Sequence, residues 1–139
     1  MKRVLSWISF ALVLGVGVLF AIGPYEPNTE LKPIDPAEFA DGIDQYLNKV
    51  EAGYDDIRHD SHKRVIWHGK PETKTPYSVV YIHGFSASSQ EIRPVPDRIA
   101  AALGANLVFT RLTGHGRDGD AMAEITIEHW MHDMAEAMG

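Results

Sequence analysis

The chain has 139 residues, no cysteine, and a net charge of −6 from 13 basic and 19 acidic side chains. Without thiols it forms no disulfide, no cysteine nucleophile and no cysteine-ligated zinc site. Lys2 and Arg3 precede the first apolar run and every acidic residue follows it. The part beyond Gly23 therefore holds 11 basic and 19 acidic residues, a net of −8, which argues against a nucleic-acid partner and against a polybasic membrane patch.

Val4 to Gly23 (VLSWISFALVLGVGVLFAIG) is twenty residues without a charge. A helix needs about 20 apolar residues to cross a bilayer core of about 30 Å. Lys2 and Arg3 in front of it place the N-terminus in the cytoplasm and the remainder outside, in the periplasm or beyond the cell. The rival reading is a cleaved signal peptide with a small-residue site at Ala21-Ile22-Gly23, which would make the protein secreted. Pro24 would then follow the cut, and the run exceeds the usual h-region of about 7–15 residues. Residues 1–23 are therefore expected to be a membrane anchor or signal segment, with 4–23 contacting the membrane. The proline-rich stretch 24–35 reads as a linker, and 36–139 as the folded portion.

A helix is expected from Pro36 to Glu51, with Asp35 as N-cap, Pro36 in the first position and Glu38 three residues after the cap. Phe39, Ile43, Tyr46, Leu47 and Val50 recur at helical spacing, and Gly53 is a natural stop. Asp55 to Arg64 (DDIRHDSHKR) is charged and loop-like, and the carboxylates of Asp55, Asp56, Asp118 and Asp120 are expected in solvent. Val65-Ile66-Trp67 is a short β-type run. Tyr77 to Ile82 is nearly all apolar, as in a strand covered on both faces of a parallel sheet. It enters the small-residue loop His83-Gly84-Phe85-Ser86-Ala87-Ser88-Ser89. The next helix carries the stripe Val95, Ile99, Ala102, Leu103 and ends at Gly104. Asn106 to Thr110 is a further strand, followed by Thr113-Gly114-His115-Gly116. Thr126 is the N-cap of a last helix whose stripe is Ile127, Trp130, Met131, Met134 and Met138, the methionines expected as core. Strand, helix, strand, helix is the βα order of a parallel sheet with right-handed crossovers.

In such sheets ligands bind beyond the C-terminal ends of the strands, where both glycine loops lie. Gly114 to Gly119 matches G-x-G-x-x-G by letter. A dinucleotide site needs those glycines to open a helix directly after a strand. Here Arg111 to Thr113 intervene and the next helix signal is Thr126, so no nucleotide and no other cofactor is expected. The pairs His59/His62 and His129/His132 have the i,i+3 spacing of a zinc-binding face, but lack further ligands in pattern, and no metal is expected.

The segment Val79-Val80-Tyr81-Ile82-His83-Gly84-Phe85-Ser86 resembles the oxyanion-loop strand of the α/β-hydrolase superfamily, an apolar strand running into HG-x. Arg111-Leu112-Thr113-Gly114-His115-Gly116 resembles its GHG-type loop. Trp130 and Asp133 fit the W-x-x-D pattern of the esterase, lipase and serine-aminopeptidase-like branch. The resemblance spans roughly Val65 to Gly139 and implies a partial α/β-hydrolase fold: a parallel sheet with crossover helices behind one N-terminal helix. It implies a serine hydrolase cleaving carboxylic esters or related acyl bonds of a small molecule. In that reading the backbone N–H of Phe85 is an oxyanion-hole donor and Ser86 a second candidate. His83, Gly84, Gly114, His115 and Gly116 support the loops, with Gly84 permitting a tight backbone path.

The family's nucleophile motif G-x-S-x-G does not occur in the 139 residues. Gly84-Phe85-Ser86-Ala87-Ser88 has serine in place of the second glycine and falls at the oxyanion position. Nucleophile, acid and catalytic histidine are thus expected beyond Gly139, and this chain is expected to turn over no substrate by itself. Three readings stand beside this one. Phe85 is then a core aromatic; or the chain is a non-catalytic anchored binding module; or it belongs to another hydrolase-fold chemistry, such as a peptidase, dehalogenase or epoxide hydrolase.

Overall fold

A computed structural model describes residues 2–23, 25 and 30–139. Residues 24 and 26–29 of the expected linker lie outside the described set. The apolar run forms one helix, α1 (Lys2–Ile22), long and apolar enough to cross a membrane, with none of its span buried against the rest of the chain.

The helix expected over 36–51 is in fact two pieces. Pro36–Phe39 is a 3-10 turn, capped by the Asp35 carboxylate accepting from the Ala37 N–H at 2.9 Å. The chain then breaks, and α2 runs from Ile43 to Glu51. The break falls at Gly42, whose φ of +103° suits glycine alone. A carboxylate from a distant loop restarts the helix: Glu72 accepts from the Ile43 and Asp44 N–H groups at 3.0 and 2.9 Å, filling donors that a helix N-terminus leaves open. Phe39 and Tyr46 still meet edge to face at 4.7 Å, so the apolar stripe read from the sequence survives the interruption.

Three strands follow: β1 (Arg64–Ile66), β2 (Ser78–Tyr81) and, after α3 (Val95–Leu103), β3 (Asn106–Phe109). They form one sheet in the order β1-β3-β2. β2 and β3 are parallel, with Ser78 opposite Asn106 and Tyr81 opposite Phe109, joined by α3 as a crossover. β1 is antiparallel to β3, with Arg64 opposite Phe109. The sheet is therefore mixed, not wholly parallel as the βα order implied. The reason lies in residues 67–77, which link β1 to β2 without a crossover helix and turn the chain back on itself. Gly104 ends α3 in the left-handed conformation, φ +61°.

The core is small: Ala100 of α3 with Leu107 and Phe109 of β3, packed by Val79 and Tyr81. Pro96 and Ala100 are the buried side of α3. Val95, Ile99 and Leu103, expected to face the core, are instead exposed, the helix turning Pro96 and Ala100 inward. A one-turn helix, α4 (Asp120–Ala123), occupies the stretch read as irregular. The last helix, α5 (Ile127–Met138), starts at Thr126 as expected, with a capping box in which His129 takes the reciprocal role. Its buried residues are Asp133 and Glu136; Trp130, Met131 and Met134 are half-buried and Met138 is exposed.

Candidate active site at the ends of the parallel strands

The loops after β2 and β3 leave the C-terminal ends of the two parallel strands and close on one another. His83 is the first residue of contact. Its Nε2 accepts from the Leu112 N–H at 3.1 Å, and its Nδ1 lies 3.0 Å from the Gly84 carbonyl. Those two partners require the neutral tautomer with the proton on Nδ1. Burial, the largest influence, holds the His83 pKa below the ordinary imidazole value, and the positive side of His115 and Arg111 adds to it against the opposing Gly84 carbonyl.

His115 is the second. It is 3 % exposed, its ring 4.8 Å from that of His83, and its Nε2 accepts from the Ser86 N–H at 3.3 Å. An accepting Nε2 puts the proton on Nδ1. That atom is buried with no hydrogen-bond partner among the described residues, a condition that costs about 1–3 kcal/mol. Ser86 itself has φ +63°, a left-handed backbone unusual outside glycine. Gly84 carries no such demand: a Cβ there would meet nothing within 4 Å. The strained turn of this loop thus sits two residues later than the tight path assigned to Gly84.

Phe85 is 74 % exposed, so it is no core aromatic. Its ring stands edge-on to His115 at 5.9 Å and to Trp130 at 6.2 Å. Among the described residues its N–H donates to no acceptor, in contrast to that of Ser86. Phe85, Ser86, Ser88, His115 and Arg117 line a shared cleft of 670 Å³ between the two loops. A second groove of 470 Å³, walled by Phe39, Ile43, Leu47, Val65 and Val108, includes neither glycine loop.

The glycines of the GHG loop are required where they stand. A Cβ on Gly114 (φ +83°) would come within 2.7 Å of Ile125 Cγ1, and one on Gly116 (φ +68°) within 2.8 Å of Ser61 Cβ. Next to them the backbone is gripped by α5. Asp133 Oδ2 accepts from the Thr113 N–H at 2.6 Å and the Thr113 hydroxyl at 2.7 Å, and Trp130 Nε1 donates to the Thr113 carbonyl at 3.0 Å. Asp133 Oδ1 accepts from Lys63 Nζ at 2.7 Å. Lys63 also pairs with Glu136, which accepts from the Tyr46 hydroxyl at 2.9 Å. Glu51 accepts from the Lys63 N–H at 3.0 Å and pairs with Arg111 at 2.7 Å. Arg111 donates to the His115 carbonyl at 3.2 Å. Three carboxylates and two cations are thus buried behind the loops. Lys63 and Glu51 do not stand out in the sequence, where Lys63 is one charge in a polar run and Glu51 the end of a helix.

Of the other candidates, His59 pairs with its neighbour Asp60 at the surface, and His129 serves the Thr126 cap. Among the described residues no group of three or more His, Asp or Glu side chains is placed to hold a metal ion. The helix that follows G-x-G-x-x-G is the single turn α4, opened by the acidic Asp120, the wrong charge for a pyrophosphate.

No family model matches the chain, and no solved structure matches it. Over 64 residues it is 31 % identical to a thermostable monoacylglycerol lipase from a Bacillus strain. That stretch is 46 % of this chain and 25 % of the lipase, so this chain accounts for about a quarter of the relative's length. The similarity extends to a hydrolase-like protein and no further.

Proposed function

We propose that this chain forms the oxyanion side of an α/β-hydrolase-type serine hydrolase that cleaves carboxylic esters or related acyl bonds. The observation that carries the reading is the N–H of Phe85, which meets no acceptor among the described residues, in a cleft-lining loop after parallel strand β2 that the GHG loop braces. Acyl transfer passes through a tetrahedral oxyanion. A backbone donor already fixed near that oxygen stabilises it without reorganising, and losing one such donor costs about 2.7–4 kcal/mol. Phe85 supplies the donor. Ser86, whose N–H is now held by His115, is the second candidate and serves only once that bond is released. His83, His115, Gly114 and Gly116 fix the two loops in place.

The partial lipase identity and the parallel β2–α3–β3 crossover both support a hydrolase of this kind. An exposed apolar stripe on α3 beside β2, an edge strand, supports residues 36–139 as part of a larger domain, since bare apolar edges promote aggregation. Residues 1–23 serve as the anchor, with 24–35 as linker, the N-terminus inside and the site outside the cytoplasmic membrane. The nucleophile, its acid and its histidine are supplied by polypeptide beyond these residues. No cofactor is needed for serine acylation.

The coding sequence read past codon 139 tests this. Its translation product should contain a strand ending in G-x-S-x-G, hydrolyse p-nitrophenyl acyl esters and bind a fluorophosphonate at that serine. The 139-residue chain treated alike should stay unlabelled. A stop codon directly after codon 139, or stoichiometric labelling of Ser86, would overturn the assignment.

A further inference from the structure

The GHG loop has no regular secondary structure, yet all three polar groups of Thr113 are taken up by one helix. Its N–H and hydroxyl donate to Asp133 and its carbonyl accepts from Trp130. Two residues on, His115 accepts from the Ser86 N–H, and one residue before, the Leu112 N–H donates to His83. Thr113 therefore sits between the only two hydrogen bonds that connect the loops directly among the described residues.

Asp133 is 2 % exposed. A buried carboxylate is stable only when paired and hydrogen-bonded. Its two oxygens meet different partners. Oδ1 takes the Lys63 ammonium and Oδ2 takes both Thr113 donors. Lys63 directly precedes β1, and its own N–H donates to Glu51.

We propose that Asp133, neutralised by Lys63, is a positioning residue that sets the register of the loop bearing Phe85 and Ser86, acting through Thr113 and His115. The inference rests on the reading of residues 83–86 as an oxyanion loop, and it adds where the precision of that loop originates. A shift of Thr113 along α5 would carry His115 with it and change both the tilt of the 83–86 turn and the availability of the Ser86 N–H.

The substitution Asp133→Asn separates this role from general packing. Asparagine has the same shape, but its NH₂ group must face either the Lys63 ammonium or the Thr113 donors, so one donor set loses its acceptor. Residue-resolved amide hydrogen exchange on the full chain in detergent micelles reads the outcome. The expected result is at least tenfold faster exchange at Thr113, Leu112 and Ser86, with Leu107 and Phe109 in β3 unchanged. Equal acceleration in β3 would show mere structural support, and no change at Ser86 would show that the loops are uncoupled; either overturns the proposal. Should Asp133→Asn fail to fold, Thr113→Val keeps every charge and removes one bond to Asp133; the same local pattern is then expected, and its absence overturns the proposal. Exchange is independent of turnover. Failure of the hydrolase reading would appear as absent ester hydrolysis by the longer protein that carries the serine, with the exchange pattern of this chain intact.

Discussion

Replacing Lys63 by methionine leaves Asp133 and Glu136 buried and facing one another without their counter-ion. Lys63 is 8 % exposed, and its ammonium contacts both carboxylates. With Glu51 and Arg111 the cluster holds three acidic and two basic groups; the substitution takes its formal charge from −1 to −2. Breaking a buried pair by removing one partner costs about 3–5 kcal/mol, because the survivor keeps its desolvation cost. Against a typical domain stability of about 5–15 kcal/mol that loss is large. Urea unfolding of the full chain in detergent, followed by the fluorescence of Trp67 and Trp130, measures it. A midpoint shift worth less than about 1 kcal/mol, the range of solvent-exposed pairs, would refute the cluster as a buried ionic unit. The pH dependence supplies a sign. Burial alone would lower the Lys63 pKa, but the attraction of Asp133 and Glu136 outweighs it and holds the value above that of an ordinary lysine. The stability from this charge is therefore complete below the unfolded lysine pKa of about 10.4 and is lost as pH rises through the higher folded value. Lys63→Met should lack that alkaline loss.

His83, with its pKa lowered by burial, binds its proton less readily folded than unfolded. Its contribution is present above the unfolded value of about 6.5 and is lost as pH falls through the folded one; imidazole NMR should show His83 predominantly neutral at a pH of about 6.5, and the thermal midpoint should fall on further acidification. Gly116→Ala forces a Cβ to within 2.8 Å of Ser61 at φ +68° and should destabilise by about 1–3 kcal/mol in urea titrations, whereas Gly84→Ala, which meets nothing within 4 Å, should change stability by less than about 0.5 kcal/mol.

Local signals carried the local elements. Gly104 in a left-handed cap, Thr126 at a helix start and the apolar runs of β2 and β3 stand where propensity and capping chemistry put them. What escaped was set by partners distant in sequence. The split at Gly42 depends on Glu72, which caps α2 from 29 residues beyond Ile43 along the chain. The antiparallel β1 follows from the missing crossover helix between β1 and β2, which a strand pattern does not display. The stripe on α3 misled because periodicity marks a face without saying what covers it. Asp133 and Glu136 became the buried side of α5 since Lys63 was there to neutralise them. The site shows the same division. The motifs HG and GHG located the loops, while the bonds that join them, through His115 and Asp133, emerged only from the fold.

The proposed function stands or falls on the Phe85 N–H as an oxyanion donor. In the longer protein that the proposed function calls for, Phe85→Pro removes that N–H and Phe85→Ala keeps it. Steady-state hydrolysis of p-nitrophenyl esters should show kcat about 10²- to 10³-fold lower for the proline variant than for the alanine variant, the loss expected for one oxyanion donor, with KM little changed. Equal kcat in the two variants would contradict the account.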